Sequence, residues 1–283
     1  MTESFEVKPL GTALGAEIIG LDLAQPFGDN TAQALLGALG ENGVIVFRDQ
    51  LLTPEQHRAV AQALGRININ RFFPTVEGHP DIAEVRKEPG QTSNIGSEWH
   101  TDHSYDTEPA LGSLLYARDV PPTGGDTIFA SMYAAYESLS DGLKAALATL
   151  RAVHSSAHVF GEAALSSDEL KGVFANADSA NQFSTHPMVI HHPTSGRSAL
   201  YVNPEFTLRI EGWSDEESAA LLNYLYQQAT KPEFTLRLGW ANNTLAIWDN
   251  RATWHLAVND YHGHRRLMHR ITLEGCVLEA AAA

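Results

Sequence analysis

Apolar positions along the chain fall mainly into short runs of four to eight residues bounded by Gly, Pro, Asn and Asp, the pattern of strands rather than long helices. Phe5 to Leu10 and Glu17 to Leu23 read as strands separated by Gly11 and Gly15, and Val44-Ile45-Val46-Phe47 as a buried strand. Further strands are predicted at Ile82 to Val85, Gly112 to Ala117, Asp126 to Phe129, Arg151 to His158, Leu245 to Trp248 and Arg265 to Cys276. Pro187 to His191 and Arg197 to Tyr201 flank the turn residues Pro193 to Gly196 and predict a hairpin.

Helical spacing is confined to a few places. Asp29-Asn30-Thr31 opens a helix through Ala32, Leu35, Leu36 and Leu39 that Gly43 ends. Thr53, Pro54 and Gln56 form a capping box with proline at the first helical position, predicting a helix to Leu64 that stops at Gly65. Ser131 to Leu139 and Ser140 to Leu150 are two helical pieces. Ser214 caps a helix whose Ala219, Leu222, Leu225 and Tyr226 share one face, with three acids favourably placed in its first turn. Strands do not alternate strictly with helices, so a doubly wound parallel sheet is not expected.

Two segments lack a clear period. Lys87 to Ser97 is polar, with Pro and Gly, and reads as a loop. The stretch 160–183, rich in Ala, Ser, Asp and Asn, is expected to be an active-site lid, since an unpatterned stretch of that length is unusual inside a compact domain. No repeat breaks the chain, and 1–283 is expected to be a single domain.

Composition narrows the function. A formal charge of −15, spread along the chain, argues against nucleic acid or an anionic membrane as partner. The single cysteine, Cys276, excludes an internal disulfide framework and fits a reducing compartment. No apolar run approaches a membrane span, and the first residues lack the features of a signal peptide, so a cytoplasmic location is expected, with a homo-oligomer as the expected assembly.

The chemistry concentrates around Trp99-His100-Thr101-Asp102. In an extended segment, residues two apart share a face, so His100 and Asp102 would point the same way. An imidazole and a carboxylate suit a divalent ion, and a second histidine would complete the two-histidine, one-carboxylate face of non-haem Fe(II) oxygenases. With 13 histidines in the chain, a solvated strand end is an equally plain reading of this pair. Near the C-terminus, a hairpin is expected to bring His255 back beside a strand on which Arg266, Met268 and Arg270 share a face. Two arginines on one face form an anion pocket, because arginine binds carboxylates with two prongs and keeps its charge. Upstream, Asn68, Asn70 and Arg71 are candidates for a substrate wall, with a polar strand edge as the alternative. His103, on the opposite face of an extended segment, is expected to point away from the pair.

Four motifs in order, Trp99-His100-Thr101-Asp102, Thr123-Gly124-Gly125-Asp126-Thr127, Trp248-Asp249-Asn250-Arg251 with His255, and Arg266-Leu267-Met268-His269-Arg270, resemble the taurine dioxygenase (TauD/TfdA-like) family of Fe(II)/2-oxoglutarate-dependent oxygenases. Tyr201-Val202-Asn203 and neighbouring stretches look closer to the aryloxypropionate dioxygenases of that family. The resemblance implies a mainly β fold with flanking helices, a double-stranded β-helix of the jelly-roll, cupin-like kind. It also implies His100, Asp102 and His255 as iron ligands, Thr127 and Arg266 as grips on the far carboxylate of 2-oxoglutarate, and Arg270 on the anionic group of the substrate. Fe(II) would be the cofactor, 2-oxoglutarate and O₂ the cosubstrates, and a small organic anion (aryloxyalkanoate, alkyl sulfate ester or sulfonate) would be hydroxylated with release of succinate and CO₂. Two departures from taurine dioxygenase stand out: Asn70 replaces a histidine on the sulfonate, and Gly96 replaces an asparagine before the first iron ligand. The competing readings are a zinc-dependent hydrolase, which would lack a Glu-x-x-His base, and a non-catalytic jelly-roll protein binding a small anion.

Overall fold

The computed structural model describes residues 4–161 and 180–281. Its strands are β1 (Glu6–Pro9), β2 (Ala16–Ile19), β3 (Val44–Phe47), β4 (Ile67–Asn68), β5 (Thr75–Val76), β6 (His79–Lys87), β7 (Gly112–Asp119), β8 (Thr127–Ser131) and β9 (Arg151–Ser155). They continue as β10 (Phe183–Pro187), β11 (Val189–His191), β12 (Ser198–Leu200), β13 (Thr207–Ile210), β14 (Thr235–Leu238), β15 (Leu245–Asp249), β16 (Thr253–Ala257) and β17 (Arg266–Leu273). Helices α1 (Asp29–Asn42), α2 (Pro54–Leu64), α3 (Met132–Glu137), α4 (Asp141–Leu147) and α5 (Asp215–Ala229) flank them.

A nine-stranded sheet runs β1-β2-β3-β15-β7-β17-β6-β5, with β4 added to β17, and a three-stranded sheet runs β14-β8-β16. Two smaller sheets, β10-β9-β13 and β11-β12, extend the structure. Strand alternation decides what each face of the large sheet meets. Ile45, Phe47, Leu114, Tyr116, Leu245, Ile247, Ile271 and Leu273 pack with Leu35 and Leu39 of α1 and Val60, Ala61 and Leu64 of α2. The intervening Val44, Val46, Leu115, Ala117, Ala246, Trp248 and Met268 pack against Phe129 of β8 and Leu238 of β14, between the two sheets. Both faces are covered, which is why these strands read as unbroken apolar runs. The architecture is the expected mainly β jelly roll, a double-stranded β-helix.

The helix boundaries follow their caps. Thr53 Oγ1 accepts from Gln56 N at 3.2 Å and Gln56 Oε1 accepts from Thr53 N at 2.8 Å, closing the expected capping box of α2. Ser214 and Glu217 repeat the arrangement at α5. The β11–β12 hairpin forms as expected, with Val189 opposite Leu200.

Three expectations fail in detail. β9 stops at Ser155, and Ala157–Gly161 turns into a short π-helical segment. The strand expected over Glu17 to Leu23 ends at Ile19. His255 and Arg266 do not lie on two arms of a hairpin: β16 pairs with β8 in the small sheet, whereas β17 pairs with β6 and β7 in the large one. The chain changes sheets at the turn Asp249–Ala252, so His255 faces the arginines across the sandwich instead of lying beside them. Most of the stretch 160–183 expected to be a lid falls in 162–179, outside the described residues. No helix among the described residues is long and apolar enough to cross a membrane.

Candidate metal centre and anion site

His255 projects inward from β16 because its neighbour Trp254 packs outward into the cluster with Tyr133, Leu222 and Leu225. Its ring lies 4.7 Å from Trp248 and 6.2 Å from Phe129, ring centre to ring centre. His100 joins it through a two-way backbone bridge: His100 N donates to His255 O at 3.1 Å, and His255 N to His100 O at 2.8 Å. Beyond His100 the chain turns instead of continuing as a strand. Thr101 Oγ1 donates to the Asn250 carbonyl, pinning the turn to the crossing between sheets. Asp102 is thereby brought beside both rings, and the ligand atoms of His100, Asp102 and His255 all lie within 4.8 Å of one another. The shared face of this pair thus comes from a pinned turn, not from strand alternation.

All three residues are buried. Burial works to raise the Asp102 carboxyl, but Arg270, whose Nη2 stands 3.0 Å from Oδ2, together with the two imidazoles, holds it well below the usual carboxylate range. Ser113 Oγ donates to the same carboxylate oxygen at 3.0 Å. Burial and the neighbouring His100 push His255 well below the ordinary histidine value, so it is a neutral ligand-ready imidazole. His100 Nδ1 lies 2.8 Å from the Glu98 carbonyl, which leaves Nε2 to face Asp102 at 3.8 Å. Two imidazole nitrogens and a carboxylate converging in a buried pocket match the donor set of a divalent transition metal.

Against the two histidines lies a cavity of about 60 Å³ lined by Thr127, Arg266, His255, Leu115, Trp248 and Arg270, among others. Arg266 Nε donates to the Gly125 carbonyl at 3.1 Å, while its buried Nη2 has no protein partner. Gly125, at φ +69°, adopts a left-handed conformation that positions this carbonyl, and its N donates to Asp260 Oδ1 at 2.7 Å. Thr127 Oγ1 accepts from Trp240 Nε1 at 3.0 Å. A buried guanidinium with an unused N–H suits a carboxylate.

A larger cavity of about 380 Å³ adjoins it, walled by Phe72, Phe73, Tyr105, Phe160 and Phe206; Phe73, Ile95, Gly96, His100 and Arg270 line both. Asn70 lines it, but its Oδ1 accepts from the backbone N of Phe72 and of Phe73, each at 2.9 Å, so half of the amide is committed to a local turn. Asn68 lies in β4 opposite Thr272 and lines neither cavity, and Arg71 Nη2 donates to both carboxylate oxygens of Asp106, at 2.7 and 2.6 Å. His103 corrects its expectation. At φ +60° the turn rotates it into the wall of the larger cavity, where Nδ1 meets Asp106 Oδ2 at 3.0 Å. Motif spacing pointed to neither Ser113 nor Glu205, which also meet the metal triad. Ser113 had a signal, a polar residue at inward parity on an apolar strand; Glu205, in a turn remote in sequence, had none.

Residues 6–272 match the family described as Taurine catabolism dioxygenase TauD, TfdA family. This chain belongs to that family. Among its relatives is an alkylsulfatase of Acinetobacter baylyi, 35% identical and covering 99% of this chain and 88% of that protein. Another is the (S)-phenoxypropionate/alpha-ketoglutarate-dioxygenase of Sphingobium herbicidovorans, 31% identical, with 97% and 96% covered. A crystal structure of a taurine dioxygenase from Burkholderia xenovorans superposes with a TM-score of 0.82 at 35% identity, covering 97% of this chain and 92% of that one. The structure of AAD-2 in complex with Mn(II) and N-oxalylglycine gives 0.79 at 31% identity, covering 96% and 98%. As a member of the TauD/TfdA family the protein is a 2-oxoglutarate-dependent dioxygenase, an oxidoreductase with Fe(II) as cofactor and 2-oxoglutarate and O₂ as cosubstrates.

Proposed function

We propose that this TauD/TfdA-family dioxygenase hydroxylates a small organic monoanion with an apolar body, an alkyl sulfate ester, sulfonate or aryloxyalkanoate, as one catalytic domain working in the cytoplasm. His100, Asp102 and His255 hold Fe(II). Thr127 and Arg266 hold the far carboxylate of 2-oxoglutarate, Arg270 takes the anionic group of the substrate, and Asn70 offers its remaining N–H groups to the same pocket. Bound there, Fe(II) with 2-oxoglutarate and O₂ supplies oxidative C–H hydroxylation, with succinate and CO₂ as coproducts.

The observation that carries this reading is that the buried triad lines two adjoining cavities of different character, His255 and His100 the smaller with the unpartnered Nη2 of Arg266, Asp102 and His100 the larger with its aromatic walls. The chain's own residues orient and exclude. Arg270 stands against both Asp102 and the larger cavity, so it fixes the substrate's anionic end close to the metal ligands. Phe72, Phe160 and Phe206 keep water from the apolar body, and the stacked rings of Phe72 and Phe160, 4.5 Å apart, form a flat wall suited to an aryl or alkyl chain. Positioning is the protein's main contribution, since an error of about 1 Å can cost roughly a hundredfold in rate.

The test is succinate release. Protein supplied with Fe(II), ascorbate and 2-oxoglutarate is expected to form succinate when offered members of a panel of sulfate esters, sulfonates and aryloxyalkanoates, and His255→Ala is expected to lose turnover and tight metal binding together. Silence across the panel, or full activity in the variant, would overturn the assignment.

A further inference from the structure

We infer that Glu205 is a positioning residue for the metal centre, acting through His100; the inference rests on the metal reading above. Glu205 Oε2 lies 3.2 Å from His100 Nδ1, on the opposite edge of the ring from the nitrogen that faces Asp102. Two oxygens therefore meet this one ring nitrogen, the Glu98 carbonyl at 2.8 Å and the Glu205 carboxylate. A carboxylate behind a ligating imidazole fixes its tautomer and raises its basicity. The second imidazole differs: His255 Nδ1 is buried with no hydrogen-bond partner, so the two histidines are not equivalent.

Glu205 is held for this task from both sides. Asn203 is fully buried, donates through Nδ2 to Ser104 Oγ at 3.0 Å, and accepts at Oδ1 from Phe206 N at 2.8 Å. Asn203 N donates in turn to Thr207 Oγ1 at 2.9 Å. Pro204 stiffens the step between them, and the Glu205 carbonyl accepts from His158 Nε2. These bonds fix the backbone from which the Glu205 side chain reaches His100.

Glu205→Gln keeps the volume and removes the charge. The probe is Co(II) added to the metal-free full chain, with affinity read by competition against a chromophoric chelator. The wild type is expected to bind and His255→Ala to bind far more weakly. Glu205→Gln is expected to bind roughly ten- to a hundredfold more weakly than wild type with an unchanged melting temperature before metal is added. In the Co(II) form, the exchangeable Nδ1–H resonance of His100, shifted by the paramagnetic ion, is expected to move in Glu205→Gln, a change that a purely structural role would not produce. Glu205→Ala gives the same comparison if the amide variant does not fold. Affinity within twofold of wild type and an unmoved resonance would overturn the inference and leave the metal reading standing, as would a variant that changes only the substrate KM. Failure of the wild type to bind Co(II) would instead sink both.

Discussion

At the scale of single residues, Gly96 shows how a departure from the family pattern can be structural. Its φ of +74° lies in the left-handed region, and a Cβ built there would stand 3.1 Å from His100 Cε1. An asparagine with the same backbone would press on the ring that presents Nε2 to the metal. Gly96→Ala is expected to cost about 1–2 kcal/mol of stability from the backbone alone, and to weaken metal affinity by about tenfold as the ring shifts. Thermal melts and a metal titration of the same variant would check both numbers; an unchanged metal affinity would show that the ring has room. The His-x-Asp pair and the later arginines were visible in the sequence because their residue types are chemically rare together. Glu205 was not, because nothing in Asn203-Pro204-Glu205-Phe206 says which distant ring the turn will meet.

Elements were legible wherever a local rule decides. The capping box at Thr53 and Gln56, the hairpin around Pro193 to Gly196 and the apolar run Val44 to Phe47 each stand as read. Thr53→Ala removes the acceptor for Gln56 N and is expected to lower stability by about 1 kcal/mol, with turnover unaffected because the cap lies outside both cavities. Denaturant melts alongside succinate assays would separate the two effects. Partnering between strands was not legible. β16 and β17 look like the arms of a hairpin in sequence, yet the turn Asp249–Ala252 carries the chain from β15 in the large sheet to β16 in the small one, and β17 rejoins the large sheet. That turn is fixed by a buried network, with Asp249 paired to Arg251 Nη2 at 2.6 Å and to His192 Nε2 at 3.0 Å. His192 comes from the distant β11–β12 loop, so only tertiary structure reveals what holds the crossing. Burial opposes the charge on Asp249, but Arg251 and His192 hold its carboxyl well below the usual range.

For the whole molecule, buried histidines set the response to acid. His57 of α2 is almost fully enclosed, 1% exposed, and burial pushes it down to about 3 from an ordinary 6.5. The unfolded chain takes up a proton at His57 as pH falls below 6.5, whereas the folded chain resists until about 3. In that window the unfolded state binds more protons, so stability falls with falling pH. Between pH 6.5 and 5 the loss from this one group is about 2 kcal/mol. His57→Leu is expected to flatten the dependence of the urea midpoint over that range; an equally steep profile would assign it to other groups, such as His269, pushed down to about 4 by burial. The bridge between His100 and His255 has a bearing on how the chain reaches this folded state. Its two strands of backbone come from positions more than half the sequence apart, and closing so long a loop is a slow, entropically opposed event that local contacts cannot anticipate. A partly folded chain with only its large sheet in place would have no triad. An ion taken up by the triad would therefore act as a clasp on the finished molecule, and its release would be an early sign that the two sheets had begun to part.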